Sequence, residues 1–124
     1  MGIFTIRADV RKNRAYLAMI GLFEESQVAE VGARLVQECA KLAPGFDLVN
    51  DISACRPMTP HGVDIFTGTQ KQLKAAGVRR VVRIVSDAIV ANLQMSLHSD
   101  EVGYIAAVAK SVEEADRLLD AAPE

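Results

Sequence analysis

The segment Val81-Val82-Arg83-Ile84-Val85 is apolar at every position but one, so it lacks the alternation of a strand with one wet face. A strand with two apolar faces belongs inside a sheet that other elements cover on both sides. That requirement restricts the chain to layered architectures. At 124 residues there is room for about one domain, and the reading is a single domain over residues 1–124. Half of the chain is hydrophobic, enough to fill such a core and too much for a disordered segment.

The rest of the pattern supplies the layers. Ile3–Ala8 alternates as a half-buried strand, the polar run Arg11-Lys12-Asn13-Arg14 reads as a turn, and Ala15–Gly21 completes a hairpin. The period then changes from 2 to 3.6. Val28, Val31, Leu35, Cys39 and Leu42 form one helical stripe, with Glu24 and Glu25 in the first turn, Lys41 in the last, and Pro44-Gly45 as the stop. Gly32 interrupts this helix, and close packing on a sheet is the expected reason. Phe46–Ile52 is the next strand. Thr59-Pro60 opens a second helix as N-cap and first helical residue, Val63, Phe66, Leu73 and Ala76 face inward, and Gly77 closes it.

After the strand Arg79–Ser86, Ile89, Leu93 and Leu97 give helical spacing to Ala88–His98, with Val90 and Met95 as further apolar positions. Tyr104–Ala109 is a fifth strand. Ser111 and Glu114 form a capping box ahead of a last helix that buries Val112, Ala115, Leu118 and Leu119. The order is β-β-α-β-α-β-α-β-α: an α/β class, with a mixed, mostly parallel five-stranded sheet and about four helices.

Composition excludes several functions. Fourteen basic and sixteen acidic residues give a formal charge of −2, which argues against a nucleic-acid binder that relies on a basic footprint. Cys39 and Cys55 do not have the spacing of a zinc or redox pair, and they are too few for a disulfide framework. No apolar run approaches the ~20 residues of a membrane span, and the first residues lack the regions of a signal peptide. A soluble, cytoplasmic protein without an integral membrane segment is expected.

The element order, with the residues at its joints, resembles the STAS superfamily, the SpoIIAA-like fold of anti-sigma-factor antagonists. It is most similar to the stand-alone bacterial STAS/SEC14-like branch. The matching stretches are Met19 to Glu25, Phe46 to Ser53 with its Asp-x-Ser ending, Ala76 to Val82, and Val108 to Leu119. In the antagonists, an Asp-Ser-Ser-Gly loop follows the Asp-x-Ser strand, and a partner kinase phosphorylates its second serine. Counted from Asp51 without gaps, that loop falls on Thr59, Pro60, His61 and Gly62. The glycine matches, but His61 stands at the phosphoacceptor position. The resemblance thus implies a SpoIIAA-like module without the usual phosphorylated serine.

Ligands of open α/β sheets collect beyond the carboxyl ends of parallel strands. Here those ends hold Asp51, Ser53, the Cys55–His61 loop with Arg56, and Ser86 and Asp87. His61 at the second helical position, the helix amides pointing towards Asp51, and Arg56 nearby are the groups of a phosphate or carboxylate site. The alternative is structural: Thr59 caps the helix, Asp51 bonds loop amides, and Arg56 and His61 are solvated. Arg83 cannot sit buried and unpaired, because that costs several kcal/mol. It is expected to pair with Asp51 or Asp87, or to line a pocket that takes an anion. Cys55 with His61 lacks a group to orient the histidine as a base, and His61, His98 and Asp51 lack metal-ligand spacing.

The expected function is a non-catalytic regulatory or protein-interaction module with no cofactor and no metal. The alternative is a small-molecule or lipid-binding STAS/SEC14-like domain with a pocket at the carboxyl ends of the parallel strands. The partner is then a protein or a small anionic or lipid ligand. A homodimer through strand Ile3–Ala8 or helix Ala88–His98 is a further expectation, because a five-stranded sheet has two edges.

Overall fold

The computed structural model describes residues 2–86 and 105–121. In chain order the elements are β1 (Ile3–Asp9), β2 (Arg14–Gly21), α1 (Glu25–Cys39), β3 (Asp47–Cys55), α2 (Pro60–Ala76), β4 (Arg80–Ile84), β5 (Ile105–Ala109) and α3 (Val112–Ala121). The strands form one sheet in the order β1-β2-β3-β4-β5. β1 is antiparallel to β2, and every other pair is parallel. The expected helix Ala88–His98 and residue Asp87 lie outside the described residues.

Each connection that is described moves the chain one strand over, so α1 and α2 fall on the same face. Leu17, Met19, Leu48, Ile52 and Val81 pack there against Val28, Val31 and Leu35 of α1 and Val63, Phe66 and Leu73 of α2. The other face carries a smaller core, in which Val49, Val82, Ile84 and Ala109 meet Ala115 and Leu119 of α3. β4 is therefore apolar on both sides for the expected reason: it lies between β3 and β5, with a packed layer on each face.

Local signals decide the ends of the elements. Asn13 takes the left-handed conformation (φ 54°) that closes the β1–β2 turn, and its side chain exchanges two hydrogen bonds with the Ala43 backbone. Gly77 ends α2 at φ 108°, where a Cβ would stand 2.8 Å from Pro44 Cα. α1 starts from a reciprocal box between Glu24 and Gln27. It stops at Cys39, so Lys41 lies beyond the helix instead of in its last turn. The Ser111 hydroxyl accepts the Glu114 amide as expected, while the Glu114 carboxylate accepts from the Lys110 amide one residue earlier.

Three packing expectations are corrected. Gly32 is close to a helix and not to the sheet, since its missing Cβ would stand 2.2 Å from Oγ1 of Thr69 on α2. Ala76 is exposed, and the inward positions of α2 are instead Thr69 and Gln70 alongside Val63, Phe66 and Leu73. Leu118 is exposed as well, because only Ala115 and Leu119 of α3 reach the sheet fully.

Candidate functional site

β3 runs three residues beyond its expected end, so Ser53, Ala54 and Cys55 are strand and the loop before α2 is only Arg56 to Thr59. Within this extension the β2–β3 register slips. Ala18 lies opposite Asp51, but Ile20 lies opposite Ala54, so β3 carries one residue more than β2. Asp51 stabilises the bulge. Its Oδ1 accepts the Ser53 amide at 3.0 Å and the Ser53 hydroxyl at 2.6 Å. The Arg56 amide then donates to the Gly21 carbonyl at 2.9 Å, so Leu22 and Arg56 leave the sheet side by side.

Thr59 caps α2 and accepts the Gly62 amide at 3.0 Å, which places His61 at the second helical position. The same hydroxyl donates to Oε2 of Glu25 at 2.7 Å. A carboxylate of the chain itself therefore stands at the amino end of α2, where the helix dipole favours negative charge. His61 and Arg56 are exposed, whereas Gly62 is buried under the cap, where a Cβ would meet Thr59 Oγ1 at 3.3 Å.

The structure separates two groups that were expected to meet. Arg83 lies beside Asn50 in the β3–β4 register, and Asp51 lies beside Ile84. Side chains alternate along a strand, so Arg83 projects into the α1–α2 layer and Asp51 towards the α3 side. Arg83 is 1% exposed and does not pair with Asp51. Asp51 takes its hydrogen bonds from Ser53, and the first-turn amide of α2 that a side chain accepts, Gly62, goes to Thr59 and not to Asp51. Asp87, the other expected partner, lies outside the described residues.

The two cysteines are poorly disposed to act as nucleophiles. Burial pushes the Cys55 thiol up to about 11, and burial followed by the nearby Glu38 charge pushes Cys39 up to about 12. Among the described residues, no group of three or more His, Cys, Asp or Glu side chains is placed to hold a metal ion. Among them, too, no helix is long and apolar enough to cross a membrane.

No family model and no curated protein matches the chain. Among solved structures it is similar to an uncharacterized protein of the DUF3478 family from Shewanella loihica PV-4, described as having a SpoIIAA-like fold. The match has a TM-score of 0.69 and spans 96% of this chain and 95% of that one, at 15% sequence identity. The fold is SpoIIAA-like.

The SpoIIAA-like sheet also carries a charged network at its amino end, which the sequence reading did not find. Arg14, the first residue of β2, is 4% exposed. Its guanidinium donates to Asp116 and to Asp120 of α3, both at 2.8 Å, and the Tyr16 hydroxyl donates to Asp116 at 2.7 Å. Burial works against the Arg14 charge, but the hydrogen bonds to Asp120, Tyr16 and Asp116 outweigh it and raise the pKa. On the next two strands, Arg80 of β4 holds Asp47 of β3 through two bonds of 3.0 and 2.8 Å. The available signal was Asp116 and Asp120 at i, i+4, which share one face of α3. Their partner is about a hundred residues away and leaves no local trace.

Proposed function

We propose that this SpoIIAA-like chain is a non-catalytic recognition module that docks a protein partner on the rim at the carboxyl ends of β2 and β3. The observation that carries this reading is the exposure of Ile20 (52%) and Leu22 (51%) at the end of a strand whose Leu17 and Met19 are fully buried. Across the sheet, Ile3 (66% exposed) is the register partner of Ile20 on one side, and exposed Ala54 is its partner on the other. Arg56, Pro57 and His61 continue the exposed rim towards α2. A contiguous apolar row bordered by polar groups is the surface expected of a partner site.

The module acts without a serine switch. His61 stands at the phosphoacceptor position, and the Thr59 hydroxyl is committed to Gly62 and Glu25. The reading also has no use for a nucleophile, in keeping with two buried, protonated thiols. The test is affinity capture from native cell extract with the wild type and with the double variant Leu22→Asp/Arg56→Glu. A protein partner retained by the wild type and lost from a variant with unchanged circular dichroism supports the proposal. Equal retention by both overturns it, as does capture of no protein at all.

A further inference from the structure

Among the described residues, the face of the sheet that carries α3 is only partly covered. α3 has ten residues, about 15 Å of helix, and it packs on β3, β4 and β5. A groove of about 310 Å³ remains over β1, β2 and β3 beside Val112 at the start of α3. That volume lies at the low end of small-molecule sites, about 300–1,000 Å³. The groove adjoins the Ile3–Ile20–Ala54 row on the same face, two residues along each of β1 and β2, but none of its lining residues belongs to that row.

Its chemistry is specific. Ala18, Val49 and Val112 make an apolar floor. At one end the Arg7 guanidinium stacks on the Tyr16 ring at 3.9 Å, an arrangement that holds the cation in place while its N–H groups stay available. At the other end stands Asp51. Among the described residues only its Oδ1 is used, for the Ser53 amide and hydroxyl, so Oδ2 can accept from a ligand. The register fixes the spacing: Arg7 is opposite Tyr16, Tyr16 is opposite Val49, and Asp51 is two residues beyond Val49. Strand spacing of about 4.8 Å and a rise of about 3.3 Å per residue put the two Cα atoms about 12 Å apart.

We propose that this groove binds a small linear zwitterion of the ω-amino acid class, with its carboxylate on Arg7, its ammonium on Asp51 and its methylenes on the apolar floor. An α-amino acid places its two charges too close together to reach both ends. A fatty acid or an alkylamine satisfies one end and leaves the other without a counter-charge. The proposal is independent of the protein-partner reading, because neither Leu22 nor Arg56 lines the groove.

The test is a titration of the full chain with 6-aminohexanoate, hexanoate and hexylamine, followed by amide chemical shifts and calorimetry. The zwitterion is expected to bind at least tenfold more tightly than either single-ended probe, with shifts centred on Tyr16, Ala18 and Val112. Asp51→Asn keeps the oxygen that accepts from Ser53, so the bulge survives, and it is expected to remove the preference over hexanoate. Arg7→Gln, at an exposed position, is expected to remove the preference over hexylamine. Equal binding of the three probes, saturable binding that leaves those amides unshifted, or no response at millimolar concentrations overturns the proposal.

Discussion

Thr59 and Glu25 join the starts of two helices: the Thr59 hydroxyl donates to the Glu25 carboxylate at 2.7 Å while accepting the Gly62 amide at 3.0 Å. One side chain thus caps α2 and ties it to the first turn of α1. Thr59→Ala loses both bonds and is expected to destabilise the fold by about 1 kcal/mol, the usual worth of an N-cap. Thr59→Ser keeps the hydroxyl and is expected to retain most of that stability. Chemical denaturation of the two variants checks this, and equal losses would contradict it.

Gly32 of α1 faces Thr69 of α2 with no room for a side chain between them. A Cβ at Gly32 would stand 2.2 Å from Thr69 Oγ1 and 3.3 Å from Thr69 Cβ. Gly32→Ala gains about 1 kcal/mol of helix propensity but overpacks the interface, at a cost of about 1–3 kcal/mol. The expected net effect is destabilisation by about 1 kcal/mol. In a Thr69→Ala background the clash with Oγ1 is gone, and the same substitution becomes neutral or stabilising. A double-mutant cycle measures the difference. Additive effects would show that the two residues do not constrain each other.

The docking of α3 is expected to depend on pH at both extremes. The hydrogen bond from Arg14 lowers the Asp120 pKa below its ordinary 3.8. A depressed carboxylate contributes stability above its unfolded pKa and loses it as pH falls through the folded value, so this contribution fades below about pH 4. Burial, followed by the bond to Asp116, raises the Tyr16 pKa above 10.0. A raised phenol contributes below its unfolded pKa and loses that contribution as pH rises through the folded value, here beyond pH 10. Thermal midpoints against pH, with Asp120→Asn and Tyr16→Phe, check each limb. An acid limb unchanged in Asp120→Asn, or a Tyr16 phenol that titrates below 10, would contradict the assignment.

Cys55 should be inert in the folded chain. With its pKa at about 11, only about one thiol in a thousand is ionised at pH 8. Thiol reagents are expected to label Cys55 and Cys39 rapidly after denaturation and slowly before it. Native labelling of Cys55 at the rate of a free thiol would reopen a nucleophilic role.

What the sequence makes legible follows from the range of each interaction. The β1–β2 hairpin, the α1 stripe, the Thr59 cap with Pro60 and the Gly77 stop are set by residues within a few positions of one another, and their locations follow from pattern. The resemblance to the SpoIIAA-like fold works the same way, through the order of these local units. Face parity is different. Whether Asp51 can meet Arg83 depends on the β3–β4 register, and that pairing cannot be read from either strand alone. The β3 bulge at Ser53, the Gly32–Thr69 contact and the Arg14 network with Asp116 and Asp120 are likewise properties of elements brought together by the fold. The exposed rim falls between the two cases. Arg56 and His61 are evident as polar loop residues, but Ile20 and Leu22 look like core until the sheet shows that nothing described covers them.

The central claim, that the carboxyl-end rim is where this module meets a protein, is tested most directly by site-specific photo-crosslinking in native extract. The photoreactive residue is placed at Leu22 or His61 on the rim and, as a control, at exposed Lys71 on α2. The account predicts one protein crosslinked from Leu22 and from His61, and not from Lys71. Crosslinks of equal strength from all three positions, or from Lys71 alone, would contradict it.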